Sequence, residues 1–108
     1  MIDRPRVFLT VDLQQGAAYL ANLSTFGELT YIYTSIPDFW SPLIEGDLLA
    51  AFEDEKFDAS LDYFAVSGIM PLACMSLAVL VEEYGAVKTL LWDREKHIYR
   101  EKEIGGLV

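Results

Sequence analysis

Residues 62–83 read DYFAVSGIMPLACMSLAVLVEE, and how this stretch is read decides the fold. From Tyr63 to Val81 it carries no charge, which invites a transmembrane reading of the kind that needs about 20 apolar residues. Its interior argues otherwise. Tyr63-Phe64-Ala65-Val66 is aromatic and β-branched, as suits a buried strand. Ser67-Gly68 interrupts the run, and Pro71 opens a helical segment continuing to Tyr84. The flanks, Asp62 on one side and Glu82-Glu83 on the other, lack the Lys/Arg bias of membrane segments. The stretch therefore predicts a strand over 62–67, a tight turn, and a main helix over 70–84 with Gly85 as its left-handed cap. Val87-Lys88-Thr89-Leu90-Leu91-Trp92 follows at once as another strand, spanning 86–92.

Outward from this unit the pattern repeats. Arg6-Val7-Phe8-Leu9-Thr10-Val11 is apolar on both faces, as a central parallel strand is. Gln14-Gln15-Gly16 ends it, and Ala17 to Leu23 makes two helical turns. Leu29-Thr30-Tyr31-Ile32-Tyr33-Thr34 is a second strand. Ser41 is the expected N-cap of a helix to Asp54, with Pro42 at its first position and Leu43, Leu48, Leu49 and Phe52 as its apolar stripe. Glu53 to Ser60 reads as polar and exposed. Asp93 to Lys96 is turn material, and His97 to Ile104 alternates as a returning antiparallel strand. Strands alternating with helices indicate one α/β domain over 1–108. The expected architecture is three-layered and Rossmann-like, a mostly parallel sheet of order 2-1-3-4-5 with an antiparallel C-terminal hairpin edge.

Composition limits function. The chain has 108 residues and a formal charge of −9. Between Val7 and Val87, Lys56 alone faces twelve acids, a net of −11. Direct nucleic-acid binding is opposed, because phosphates need Lys or Arg. The stretch suits either a solvated face or a basic host protein as partner. Cys74 is the single cysteine, so no internal disulfide and no thiol zinc site is expected. It and Met75 are expected in the core, with Leu77 and Leu91 in the helix–sheet interface. No membrane association, metal or cofactor is expected, and a cytoplasmic setting fits.

In the expected order the topology reverses between strands one and three, and ligands favour the crevice at their carboxyl ends. Those ends bring Thr10, Asp12 and Gln14 from the first strand, then Ser67, Gly68 and Ile69 from the third. The fourth adds Trp92 and Asp93. Ser67-Gly68 before a helix offers free N–H groups and the positive helix end to a phosphate or carboxylate. A plain strand-to-helix turn accounts for the same residues. Asp12 reads equally as a ribose acceptor or a helix cap, and Trp92 as a base-stacking platform or as packing. His97 has no serine, cysteine or metal-spaced partner in its neighbourhood, so no catalytic residue is assigned. Tyr31, Tyr33, Phe39 and Trp40 are expected to expose an aromatic patch and to support a homodimer.

The block Asp62-Tyr63, Ser67-Gly68-Ile69-Met70-Pro71, Gly85-Ala86-Val87-Lys88, Leu91-Trp92-Asp93-Arg94 and Tyr99 resembles a family of small phage and prophage proteins. Its members have a strand ending in Gly-Asp-Pro or Ser-Gly-x-Pro, a helix, and a VKxLxWDR strand with hairpin. Val7-Phe8-Leu9-Thr10 and Phe26-Gly27-Glu28 fit the same layout, whereas two residues here separate Gly68 from Pro71. The resemblance implies a fold and a viral origin, hence a host-cytoplasmic setting, and no activity. Small viral α/β proteins that bind or cleave defence nucleotides are analogous in layout.

The leading expectation is a non-catalytic binding protein holding a nucleotide-like anion at the switch point, with a counter-defence role. The alternative is an acidic interaction module that blocks a nucleic-acid-binding host factor. A ring-nuclease-like phosphodiesterase ranks last.

Overall fold

The structure, a computed structural model, describes residues 4–12 and 17–106. In chain order its elements are β1 (Arg6–Val11), α1 (Ala17–Ser24), β2 (Glu28–Tyr33), α2 (Ile44–Asp54), β3 (Tyr63–Ala65), α3 (Met70–Tyr84), β4 (Val87–Asp93) and β5 (Ile98–Ile104). The five strands form one sheet in the order β2-β1-β3-β4-β5. β1 lies parallel to β2 and β3, β3 parallel to β4, and β4 antiparallel to β5. The expected α/β architecture and strand order are therefore those of the molecule.

Alternation along β1 explains the layers. Successive side chains of a strand point to opposite faces. Val7 and Leu9 join Leu23 of α1, Ala65 and Leu90 in one buried cluster. Phe8 joins Phe52 of α2, Ala73 and Leu80 of α3, Phe64 and Val87 in another. A third cluster, Ile44 and Leu48 with Leu72, seats α2 against α3. The continuous hydrophobicity of β1 is thus the signature of a strand covered on both faces.

Several local expectations change. α2 starts at Ile44 with Leu43 at its N-cap, after a turn in which the Ser41 Oγ accepts the Leu43 N–H. Ser41 caps a turn there, not the helix. Gly85 has the expected positive φ, but its ψ of −94° lies outside the left-handed helical region. Cys74 is exposed and Met75 half-buried, because α3 buries the stripe Leu72, Ala73, Ser76 and Leu80. Leu77 packs at the margin of the core. Leu90 is fully buried, whereas Leu91 is half-buried and lines a surface groove. Within the supposedly polar stretch 53–60, Phe57 is buried, its ring 5.1 Å from Phe8 and 5.6 Å from Phe52. Tyr31, Tyr33 and Phe39 are half-buried, while Trp40 is 84% exposed and accompanied by Ile36 and Leu43.

The amino-terminal edge of the sheet is tied by a buried carboxylate. Asp62 is 1% exposed and lies beside Arg6, one residue before the Val7–Tyr63 pair. Its oxygens accept the Arg6 N–H at 3.0 Å and the Asp58 N–H at 2.8 Å. The Arg6 guanidinium approaches to 3.4 Å and also donates to the Lys56 carbonyl at 2.8 Å. Lys56 holds a φ of 58° at this point. Such pairing offsets the desolvation that a buried carboxylate suffers alone. Nearby, Gly27 passes so close to Pro5 that a Cβ would sit 2.3 Å from its carbonyl oxygen.

Candidate functional site at the carboxyl edge of the sheet

Register gathers the residues that the sequence singles out. Phe8 pairs with Phe64, and Ala65 with Leu90. The Val66 N–H donates to the Leu90 carbonyl, carrying the β3–β4 alignment past the end of β3. Extending these pairings sets Thr10 beside Val66 and Val11 between Tyr33 and Ser67, with Asp12 and Gly68 following at the ends of their strands. Thr10, Asp12, Ser67, Gly68, Trp92 and Asp93 therefore lie on one edge, at the point where chain order reverses between β1 and β3. Gln14 lies outside the described residues.

The β3–α3 connection is built around main-chain groups. Ser67 is buried and Gly68 has a φ of 77°, a value glycine accommodates without a Cβ clash. Ile69 is the N-cap of α3, extended at φ −76° and ψ 109°, and provides no side-chain cap. The first main-chain bond of the helix runs from the Ala73 N–H to the Ile69 carbonyl. The N–H groups of Ile69, Met70 and Leu72 consequently have no partner inside the helix, and Pro71 has none to offer. α3 carries no acidic residue in its first turn, so its positive end is not neutralised by its own side chains.

Thr10 is the unusual member of the set. It is 2% exposed, and among the described residues its Oγ1 is the buried side-chain oxygen with no hydrogen-bond partner. Two other buried hydroxyls differ: Ser76 Oγ donates to the Leu72 carbonyl at 2.8 Å, and Thr89 Oγ1 to the Lys102 carbonyl at 2.6 Å. Strand alternation places Thr10 with Phe8 on the face covered by α2 and α3. An unmatched buried hydroxyl costs on the order of 1–3 kcal/mol. The sequence carries no signal for this, because a threonine suits a strand whether or not its hydroxyl is paired.

The remaining residues are engaged differently. Asp12 is exposed at the end of β1. Burial, and then the charge of Asp12, pushes the Tyr31 phenol above its ordinary value. Trp92 packs edge-on against Tyr99 at 5.2 Å and His97 at 6.2 Å. The Asp93 carboxylate organises the hairpin turn, accepting the Glu95 and Lys96 N–H groups and pairing with Arg100 at 3.0 Å. The Lys96 N–H first, and Arg100 next, hold it below the ordinary carboxylate value. Beside it, Leu91, Trp92, Arg100, Glu101 and Lys102 line a shallow groove of about 350 Å³. Arg100 and Lys102 were not anticipated as site residues. Their signal is the Leu91–Arg100 and Thr89–Lys102 pairing across the hairpin.

Among the described residues, no three His, Cys, Asp or Glu side chains gather to hold a metal ion, and no helix is long and apolar enough to cross a membrane. The chain matches no family model, and no curated protein or solved structure is detectably similar to it.

Proposed function

We propose that this is a binding protein that holds a phosphate-bearing, nucleotide-like ligand at the carboxyl edge between β1 and β3. The observation that carries the reading is the uncapped amino end of α3 after Gly68, with the buried, partnerless hydroxyl of Thr10 on the neighbouring strand β1. A phosphate oxygen accepts hydrogen bonds and carries negative charge, and a helix amino end supplies both complements. Gly68 keeps the turn open to such an approach, and Ser67 adds a hydroxyl. Asp12, exposed at the same edge, suits a ribose hydroxyl. The proposed chemistry is binding without turnover, the ring of His97 packing against Trp92 in the exposed hairpin.

The test is a thermal-shift panel of mono-, di- and cyclic nucleotides, since a ligand of the native state raises the melting temperature. At least one member should raise it, and Gly68→Val and Thr10→Val should each lose the shift while folded. A flat panel would overturn the reading.

A second reading has its own support. The layer formed by α2 and α3 displays Glu45, Asp47, Glu53, Asp54, Glu82 and Glu83, and neither helix contains Lys or Arg. Such a surface suits a basic protein partner. Neutralising Glu53, Asp54 and Glu55 would then abolish salt-sensitive capture of that partner, and Gly68→Val would leave it intact.

A further inference from the structure

The two outer strands of the sheet are protected unequally. β5 displays Arg100, Glu101, Lys102 and Glu103, exposed charges of the type that keep a free edge from pairing with another chain. β2 is the opposite terminal strand, and from Leu29 to Pro37 the chain LTYIYTSIP holds no charge at all. In a protein of charge −9 this is a place where two copies can meet without opposing like charges.

The direction of its main-chain groups can be assigned. The Glu28 N–H donates to the Pro5 carbonyl, so Glu28, and with it Thr30 and Ile32, turn their N–H and C=O toward β1. Leu29, Tyr31 and Tyr33 therefore turn theirs outward. These groups call for an extended strand, since only a strand meets alternate N–H and C=O groups in register.

We propose that the outer edge of β2 is a self-association surface, on which two copies pair β2 against β2 antiparallel about a twofold axis at Tyr31. Tyr31 then faces Tyr31 of the partner copy, and Leu29 faces the partner's Tyr33, each as a pair exchanging both hydrogen bonds. The amino end of β2 adjoins a groove of about 490 Å³ lined by Arg4, Phe26 and Glu28. The carboxyl end adjoins Asp38 and Asp47, which line a groove with Tyr33. Antiparallel pairing sets the first of these ends beside the second on the partner copy. Trp40, 84% exposed, follows the carboxyl end of β2 and adds apolar surface that a second copy can cover. A second copy is thus matched in main-chain hydrogen bonding and in the lack of charge along the paired segment.

Sedimentation equilibrium of the full chain at tens of micromolar should return twice 12.2 kDa. Tyr31→Pro removes an outward donor and leaves the ladder to β1 complete, so the variant should stay folded by circular dichroism and sediment as a monomer. Trp40→Ser alters a side chain too exposed to support the monomer, and should raise the dissociation constant about tenfold. Wild-type protein sedimenting at 12.2 kDa would overturn the proposal, including the case in which the edge takes a foreign strand instead. A folded Tyr31→Pro dimer would do the same. Should Tyr31→Pro unfold, an unchanged dissociation constant in Trp40→Ser overturns it. None of these readouts depends on the nucleotide site, so the two proposals stand or fall separately.

Discussion

The two ends of the same parallel sheet are finished in opposite ways. At the amino-terminal edge, the buried Asp62 carboxylate is met by two main-chain N–H groups and a guanidinium, which join β1 to the approach of β3. At the carboxyl edge, Thr10 keeps a buried hydroxyl with no partner, and α3 begins without a side-chain cap. Burial of polar groups is tolerated at the first edge because it is compensated. At the second it is a standing cost. Among the described residues, the Thr10 Oγ1 is the buried side-chain oxygen left without a partner, and it lies at the switch point. The difference separates a compensated edge from one that carries an unmatched polar group, the edge on which the proposed binding site rests.

Breaking the compensated edge should have the largest effect. Asp62→Ala leaves Arg6 and Asp58 without their acceptor and should cost about 3–5 kcal/mol, the range for removing one partner of a buried pair. Urea denaturation measures it, and a loss below about 1 kcal/mol would show that water replaces the carboxylate freely. Phe57→Ala should be nearly as severe, about 3–5 kcal/mol, although Phe57 belongs to a connection and not to a helix or strand. By contrast, Leu91→Ala, at a half-buried strand position, should cost less than Leu90→Ala in the same denaturation series.

At the uncompensated edge the sign should reverse. Thr10→Val exchanges a partnerless hydroxyl for a methyl group of similar shape. It should stabilise the free protein by about 1 kcal/mol while removing any nucleotide-induced shift. A variant destabilised by that amount would mean that the hydroxyl does find a partner in solution, and the contrast between the edges would weaken.

The smallest effects follow from titration. Asp58 is held below the ordinary carboxylate value of 3.8, first by the Ser60 hydroxyl and then by its N–H. Asp93 is lowered as well, first by the Lys96 N–H. A lowered folded value means stability that is present above 3.8 and lost as pH falls through the lowered values. Tyr31, Tyr33, Tyr63 and Tyr84 are raised from 10.0, in each case chiefly by burial. Their contribution is present below 10.0 and lost as pH rises through the raised values. Melting temperature should therefore hold through neutral pH and fall at both extremes. Phenylalanine at Tyr63 and Tyr84 should soften the alkaline fall, and an unchanged alkaline limb would remove these phenols as its cause.

The sequence by itself determined the order of elements, the strand order of the sheet and the gathering of Thr10, Asp12, Ser67 and Gly68 at one edge. It could do so because these features rest on local signals: β1 apolar on both faces, Ser67-Gly68 and Pro71 punctuating strand and helix, and a short charged turn at Asp93–Lys96. Only the tertiary structure decided which face of α3 is covered. The helix is apolar nearly all round, so Cys74 and Leu72 read alike until α2 takes one side and leaves the other to solvent. Tertiary structure also decided that Phe57 fills the space between Phe8 and Phe52, that Asp62 is buried against Arg6 fifty-six residues away, and that the Thr10 hydroxyl is unpaired. Each of these depends on a contact between distant segments. Local sequence sets the conformation of a segment, but the partner of a side chain is fixed by where the rest of the chain packs.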